Sequence, residues 1–123
     1  MPSILRPFHV ISTAAVIALL GVSQAWAHAH LTGSDPGANA TVSAPRTLHL
    51  EFSEALARKF STFTLTDADG HSVALTSIDS KDAKSLDAAL QAPLPPGHYT
   101  VAWTAVSSDD GHRKTGNYSF TVR

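Results

Sequence analysis

The sequence predicts an all-β domain, a seven-stranded Greek-key immunoglobulin-like β-sandwich or barrel, lying behind an export leader. Three observations predict it. Short runs that alternate apolar with polar residues recur along the chain after residue 28. Clusters of proline, glycine, asparagine and aspartate separate these runs as turns. No segment beyond the leader sustains a long helical pattern, so strands in two facing layers are the architecture left.

The first residues of the 123 are not counted as fold. Arg6 and His9 form a short polar head, no acidic residue precedes Asp35, and residues 10–22 are apolar except for Ser12, Thr13 and Gly21. Ala25 and Ala27 put small side chains at the two positions a signal peptidase reads. Residues 1–27 are therefore expected to be a signal peptide cleaved after Ala27, and residues 28–123 the domain. The apolar run is short for a bilayer and polar sequence follows it, so no membrane attachment is expected after cleavage.

The elements follow in order. Residues 28–31 open the domain as a short strand, and residues 35–40, Asp-Pro-Gly-Ala-Asn-Ala, are a turn by their chemistry. Residues 47–52 alternate strictly, with Leu48, Leu50 and Phe52 inward. Residues 53–59 are expected to be a crossover. Residues 62–66 form a strand with Phe63 and Leu65 inward, Asp67-Ala68-Asp69-Gly70 a hairpin turn, and residues 72–76 its return with Val73 and Leu75. Residues 80–83 read as a polar loop. Residues 85–90 are compatible with a helix by propensity, but the surrounding rhythm favours a strand. Pro93-Leu94-Pro95-Pro96-Gly97 is a rigid corner, residues 98–106 are the strongest strand, with Tyr99, Val101, Trp103 and Ala105 on one face, and residues 117–122 close the domain.

Composition narrows the function. Nine Lys and Arg against 10 Asp and Glu, without a basic patch, make nucleic acid and anionic membranes poor partners. There is no cysteine, which excludes zinc-finger, iron–sulfur and blue-copper centres, each of which needs thiolate. An exported domain without disulfides relies on its core, helped by a metal if one binds.

Two places at opposite ends of the mature sequence carry the chemistry. Residues 107–116, Ser-Ser-Asp-Asp-Gly-His-Arg-Lys-Thr-Gly, set Asp110 and His112 two residues apart. On an extended backbone both would project to one side and reach one metal ion. Taken alone, an Asp-Gly dipeptide is more often a turn between strands. Cleavage after Ala27 would add His28 as residue one. Its free amine and Nδ1 can close a single chelate ring, giving two nitrogen donors. The His112 ring would supply a third, and Asp110 an oxygen, or a carboxylate just outside the metal's ligands. Nitrogen and oxygen donors in a tetragonal plane suit Cu(II), which heads the divalent affinity order.

The sequence resembles the CopC/YobA family of periplasmic copper-resistance proteins over about residues 28–123. The resemblance is carried by His28-Ala29-His30-Leu31, the Asp35-Pro36 turn, Leu50-Glu51-Phe52-Ser53-Glu54, Leu94 through Trp103, Val106 through His112, and Gly116 through Val122. It implies a seven-stranded barrel or sandwich and a high-affinity Cu(II) site formed by the amine and ring of His28, the ring of His112, and Asp110. Some members carry a methionine-rich loop for Cu(I). The one methionine here is Met1, so one Cu(II) ion and no Cu(I) site are expected.

Competing readings remain. His30, third in the mature chain, could wrap Cu(II) with the amine and two deprotonated amides, which fails if those amides are committed to a sheet. His49, Glu51, His71 and His98 read as exposed strand or turn residues, and Trp103 as core. The leading function is a periplasmic Cu(II) carrier or buffer, without enzymatic activity, that sequesters copper or supplies an inner-membrane copper transporter. A copper-dependent oxidative enzyme acting on polysaccharide would use a similar donor set, but needs an open metal position and a broad substrate surface. A metal-free immunoglobulin-like interaction module is the structural alternative.

Overall fold

Alternation decides which side chains meet between the layers. Leu48, Leu50 and Phe52 are at most 1% exposed, while Thr47, His49 and Glu51 between them face outward. The computed structural model describes residues 29–123; His28 and the leader expected over residues 1–27 lie outside the described residues. In order, the strands are β1 (Leu31–Asp35), β2 (Thr41–Val42), β3 (Thr47–Phe52), β4 (Thr62–Asp67), β5 (Ser72–Val73), β6 (Leu75–Ile78), β7 (Ser85–Leu90), β8 (Gly97–Val106) and β9 (Arg113–Val122). They form a four-stranded sheet ordered β1-β3-β7-β6 and a five-stranded sheet ordered β2-β9-β8-β4-β5. The predicted β-sandwich is the observed fold, and no helix among the described residues is long and apolar enough to cross a membrane.

Among the described residues nine strands stand where seven were expected, for two local reasons, and one strand is longer than expected. The segment expected as one strand over 72–76 divides: β5 pairs with β4, and beyond Ala74 the chain changes layers so that β6 pairs with β7. Thr41–Val42 adds a short parallel pairing to β9. The last strand starts at Arg113 rather than at residue 117, because β8 and β9 keep their register up to the Val106–Arg113 pair. Residues 85–90 are a strand, as the rhythm favoured: β7 lies between β3 and β6, where a helix could not complete either ladder.

The core joins the two layers through aromatic and aliphatic side chains. Phe52 of one sheet meets Trp103 of the other edge-on, with ring centroids 5.2 Å apart, and Tyr99 stacks on Phe120 at 5.7 Å. The Tyr99 hydroxyl donates to the Pro95 carbonyl at 2.6 Å, fixing the proline corner to the start of β8. Trp103 fits only because its cross-strand partner is Gly116: a Cβ there would lie 2.4 Å from Trp103 Cζ2.

On the outer face of the four-stranded sheet, His49 is not simply solvated. The β3–β7 register sets it opposite Asp87, and its Nδ1 lies 2.6 Å from Asp87 Oδ1 while Nε2 lies 2.9 Å from Glu51 Oε2. Both ring nitrogens thus face carboxylates, a geometry that favours the imidazolium. The Asp87 hydrogen bond raises the His49 pKa, partly opposed by burial and assisted by Glu51.

Two measurements check this packing. Gly116→Ala is expected to destabilise the domain by about 1–3 kcal/mol in denaturant unfolding, as an overpacked site does. For His49, a raised folded-state pKa contributes stability that is fully present below the unfolded value of about 6.5 and is lost as pH rises through the folded value. His49→Gln is therefore expected to lower the unfolding midpoint at mildly acid pH and to have little effect at alkaline pH. Solvent screening holds the difference to about 1 kcal/mol or less.

Candidate metal centre

The loop between β8 and β9 is shaped by its own backbone. Ser107 N–H donates to the His112 carbonyl at 2.9 Å and Gly111 N–H to the Ser107 carbonyl at 3.0 Å, closing a tight turn. Gly111 holds φ at +70°, a value glycine adopts without the clash a side chain would bring. Of the two backbones open to residues 110–112, the Asp-Gly turn forms and the extended run does not. Asp110 and His112 meet because the chain turns between them. The Asp110 side chain closes that turn by accepting the His112 N–H on Oδ1 at 3.0 Å.

The same carboxylate also reaches the ring. His112 Nδ1 stands 2.7 Å from Asp110 Oδ2. The His112 ring, with the His112 N–H behind it, holds the Asp110 carboxyl below the usual carboxylate range, and the Ser107 hydroxyl adds a smaller contribution. Asp110 is therefore an anion across the neutral range. Both side chains remain open to solvent, His112 at 55% and Asp110 at 31%. A carboxylate bonded to one imidazole nitrogen fixes the ring's orientation and makes Nε2 the nitrogen to offer a metal.

The base of the loop rests on the crossover between the two sheets. Residues 53–57 leave β3 and run beneath it: Ser108 N–H donates to the Ala55 carbonyl at 3.0 Å, Ala57 N–H to the Val106 carbonyl at 2.8 Å, and Leu56 bridges to Ser107. Ser107 is 1% exposed, and its hydroxyl donates to Glu54 Oε2 at 3.0 Å. Glu54 is thus a further carboxylate at the foot of the loop. In sequence it stood out only as part of the motif at residues 50–54. Its position depends on the crossover's pairing, which local alternation does not reveal.

The same crossover holds the beginning of the described chain. Ser53 N–H donates to the His30 carbonyl at 2.9 Å, and the Ser53 hydroxyl accepts the His30 N–H at 3.1 Å and lies 3.1 Å from His30 Nδ1. Ala29, the residue before, is fully buried in the core. Of the three predicted donors, Asp110 and His112 are brought together, and His28 lies outside the described residues. His71 joins Asp67 and Asp69 in the β4–β5 turn. There Asp67 Oδ1 already accepts the N–H groups of Asp69 and His71, which close the turn. His98 Nδ1 lies 3.0 Å from the Thr121 hydroxyl.

Known proteins share this fold and much of its sequence. The CopC domain family matches residues 31–123. Copper resistance protein C of Escherichia coli is 43% identical over 114 residues, covering 85% of this chain and 90% of that protein. The copper transport protein CutJ of Bacillus subtilis is 31% identical over 100 residues, which are 79% of this chain but 18% of that longer protein. Among solved structures, PcoC, a methionine-rich copper resistance protein from Escherichia coli, superposes with a TM-score of 0.71 at 44% identity, covering 78% of this chain and 99% of that one. The chain belongs to the CopC family.

Proposed function

We propose that the chain is exported, cleaved after Ala27, and acts as a periplasmic carrier or buffer that binds one Cu(II) ion in copper resistance. The His28 amine and ring and the His112 ring are the nitrogen donors, and Asp110 holds His112 in position. The carrying observation is the Asp110–His112 pair on a loop whose base is hydrogen-bonded to the crossover that also holds His30. The described chain thereby begins at the same end of the sandwich as the loop, which supports a donor set that joins His28 to His112. The names of the relatives, a copper resistance protein and a copper transport protein, support the same role.

The structure weighs against the wrapped alternative through His30. That mode needs the His30 amide deprotonated and free, yet its N–H is given to Ser53 and its flanking residue Ala29 is buried. Breaking both contacts would cost a hydrogen bond and core packing together. Delivery to an inner-membrane copper transporter follows from the carrier reading. Cu(I) is not an expected cargo: PcoC is a methionine-rich protein, whereas the single methionine here is Met1. Thioether donors are what a soft Cu(I) site requires.

Copper titration of the processed protein tests the donor set. Adding one residue ahead of His28 converts the amine to an amide and is expected to abolish tight binding; unchanged affinity would remove the amine from the site. Asp110→Asn is expected to weaken Cu(II) binding about 10–100-fold, as loss of a ring-orienting partner does. His112→Ala should weaken it further. Because an α-amine titrates near pH 8 and imidazoles near 6.5, the apparent affinity should fall steadily as pH is lowered through that range. Asp110, already ionised, should contribute no step there; an affinity independent of pH between 5 and 8 would contradict the assignment.

A further inference from the structure

Arg58, the residue after the crossover, spends its cation on backbone. It is partly buried, and among the described residues no ion pair engages it. Its guanidinium reaches into the loop between β6 and β7, where Nη1 donates to the Ser85 carbonyl at 3.3 Å and Nη2 to the Asp82 carbonyl. Both acceptors belong to one closed corner. Ser85 is fully buried, its N–H donates to the Asp82 carbonyl at 3.3 Å, and its hydroxyl lies 2.7 Å from that of Ser80. The Asp82 side chain accepts the Lys84 N–H at 2.9 Å. A planar guanidinium can hold two such carbonyls at once; the ammonium of a lysine, on its flexible stem, has no matching fork.

That corner holds one margin of the crossover while the metal loop rests on the other. The adjacent N–H groups of Leu56 and Ala57 go to different elements, the first to the Ala83 carbonyl at 2.9 Å and the second to the Val106 carbonyl at 2.8 Å. The Lys84 carbonyl accepts the Phe52 N–H at 2.8 Å, where the crossover leaves β3. From the same short stretch, the Ala55 carbonyl takes the Ser108 N–H and Glu54 takes the Ser107 hydroxyl, each at 3.0 Å. A continuous set of hydrogen bonds therefore runs from Arg58 through residues 82–85 and 54–57 to residues 106–108. We propose that Arg58 is a positioning residue for the copper site: it fixes the β6–β7 loop against the crossover, and the crossover sets where Asp110 and His112 meet the ion. Its bearing on copper rests on the carrier reading, whereas the mechanical link does not. Metal–donor distances tolerate only about 0.2 Å, so donors from separate stretches depend on whatever holds those stretches together.

Two substitutions separate position from charge. Arg58→Met keeps an apolar stem and removes the cation, and Arg58→Lys keeps the cation without the fork. Through charge alone, Arg58→Met would tighten the binding of a dication and Arg58→Lys would leave it unchanged. Positioning predicts that both weaken Cu(II) binding by the processed protein, about tenfold in Arg58→Met, and that both alter the Cu(II) EPR parameters. Val122→Ala, a core truncation at the far end of β9, is the control. It is expected to lower the unfolding midpoint at least as much and to leave affinity and spectrum as in the parent. Parent-like affinity in either Arg58 variant, tighter binding by Arg58→Met, or an equal loss in Val122→Ala would overturn the proposal. Amide hydrogen exchange on the metal-free proteins tests the link without copper. Measured against Val101 in the middle of β8, the Leu56 and Ser108 amides are expected to exchange about tenfold faster in Arg58→Met and to keep their ratio in Val122→Ala. Unchanged ratios in Arg58→Met would also overturn it. If no form of the protein binds copper, the carrier reading fails by itself, and the exchange ratios still decide whether Arg58 positions the loop.

Discussion

The hydrogen bonds between the crossover and the end of β8 are the constraint on which the rest depends. A β-sandwich keeps its layers apart, and a chain leaving one sheet must satisfy its backbone groups on the way to the other. Here residues 53–57 do so by pairing on one side with His30 and on the other with Val106, Ser107 and Ser108. Three stretches of sequence therefore share one end: the start of β1, the exit of β3 and the β8–β9 loop. Lengthening or misregistering the crossover would leave each strand intact and still pull the loop away from the first residues of the domain.

Within the loop, electrostatics does the fine positioning. Asp110 spends one oxygen on the backbone of His112 and the other on its ring, so a single carboxylate fixes both the turn and the imidazole. Ser107, buried beneath, ties Glu54 to the same corner. An arrangement with hydrogen-bonded anions behind an exposed imidazole suits a hard-to-borderline dication, and the absence of cysteine from the sequence points away from soft-metal chemistry. In the proposed carrier role, the 55% exposure of the His112 side chain would let an ion leave as well as arrive.

Much of the fold was legible because alternation survives in strands buried on one face. The inward sets Leu48, Leu50, Phe52 and Tyr99, Val101, Trp103, Ala105 were correct, and so was the strand at 85–90. What escaped was pairing. The sheet change at Ala74, the extension of β9 back to Arg113 and the His49–Asp87 contact all depend on which strand lies alongside, and local pattern carries no such information. The site shows the same division. Asp110 and His112 were found by their chemistry, and of the two backbones open to them, an extended run or an Asp-Gly turn, the structure takes the turn that Gly111 permits. The contact between Glu54 and Ser107 became visible only once the crossover had been placed.

Pulsed EPR on the Cu(II)-loaded, processed protein measures the donor set most directly, since remote imidazole nitrogens modulate the echo and can be counted. The account predicts two equatorial imidazoles, falling to one in His112→Ala. A single imidazole accompanied by deprotonated backbone amides, unchanged by that substitution, would place the ion on His30 and contradict it.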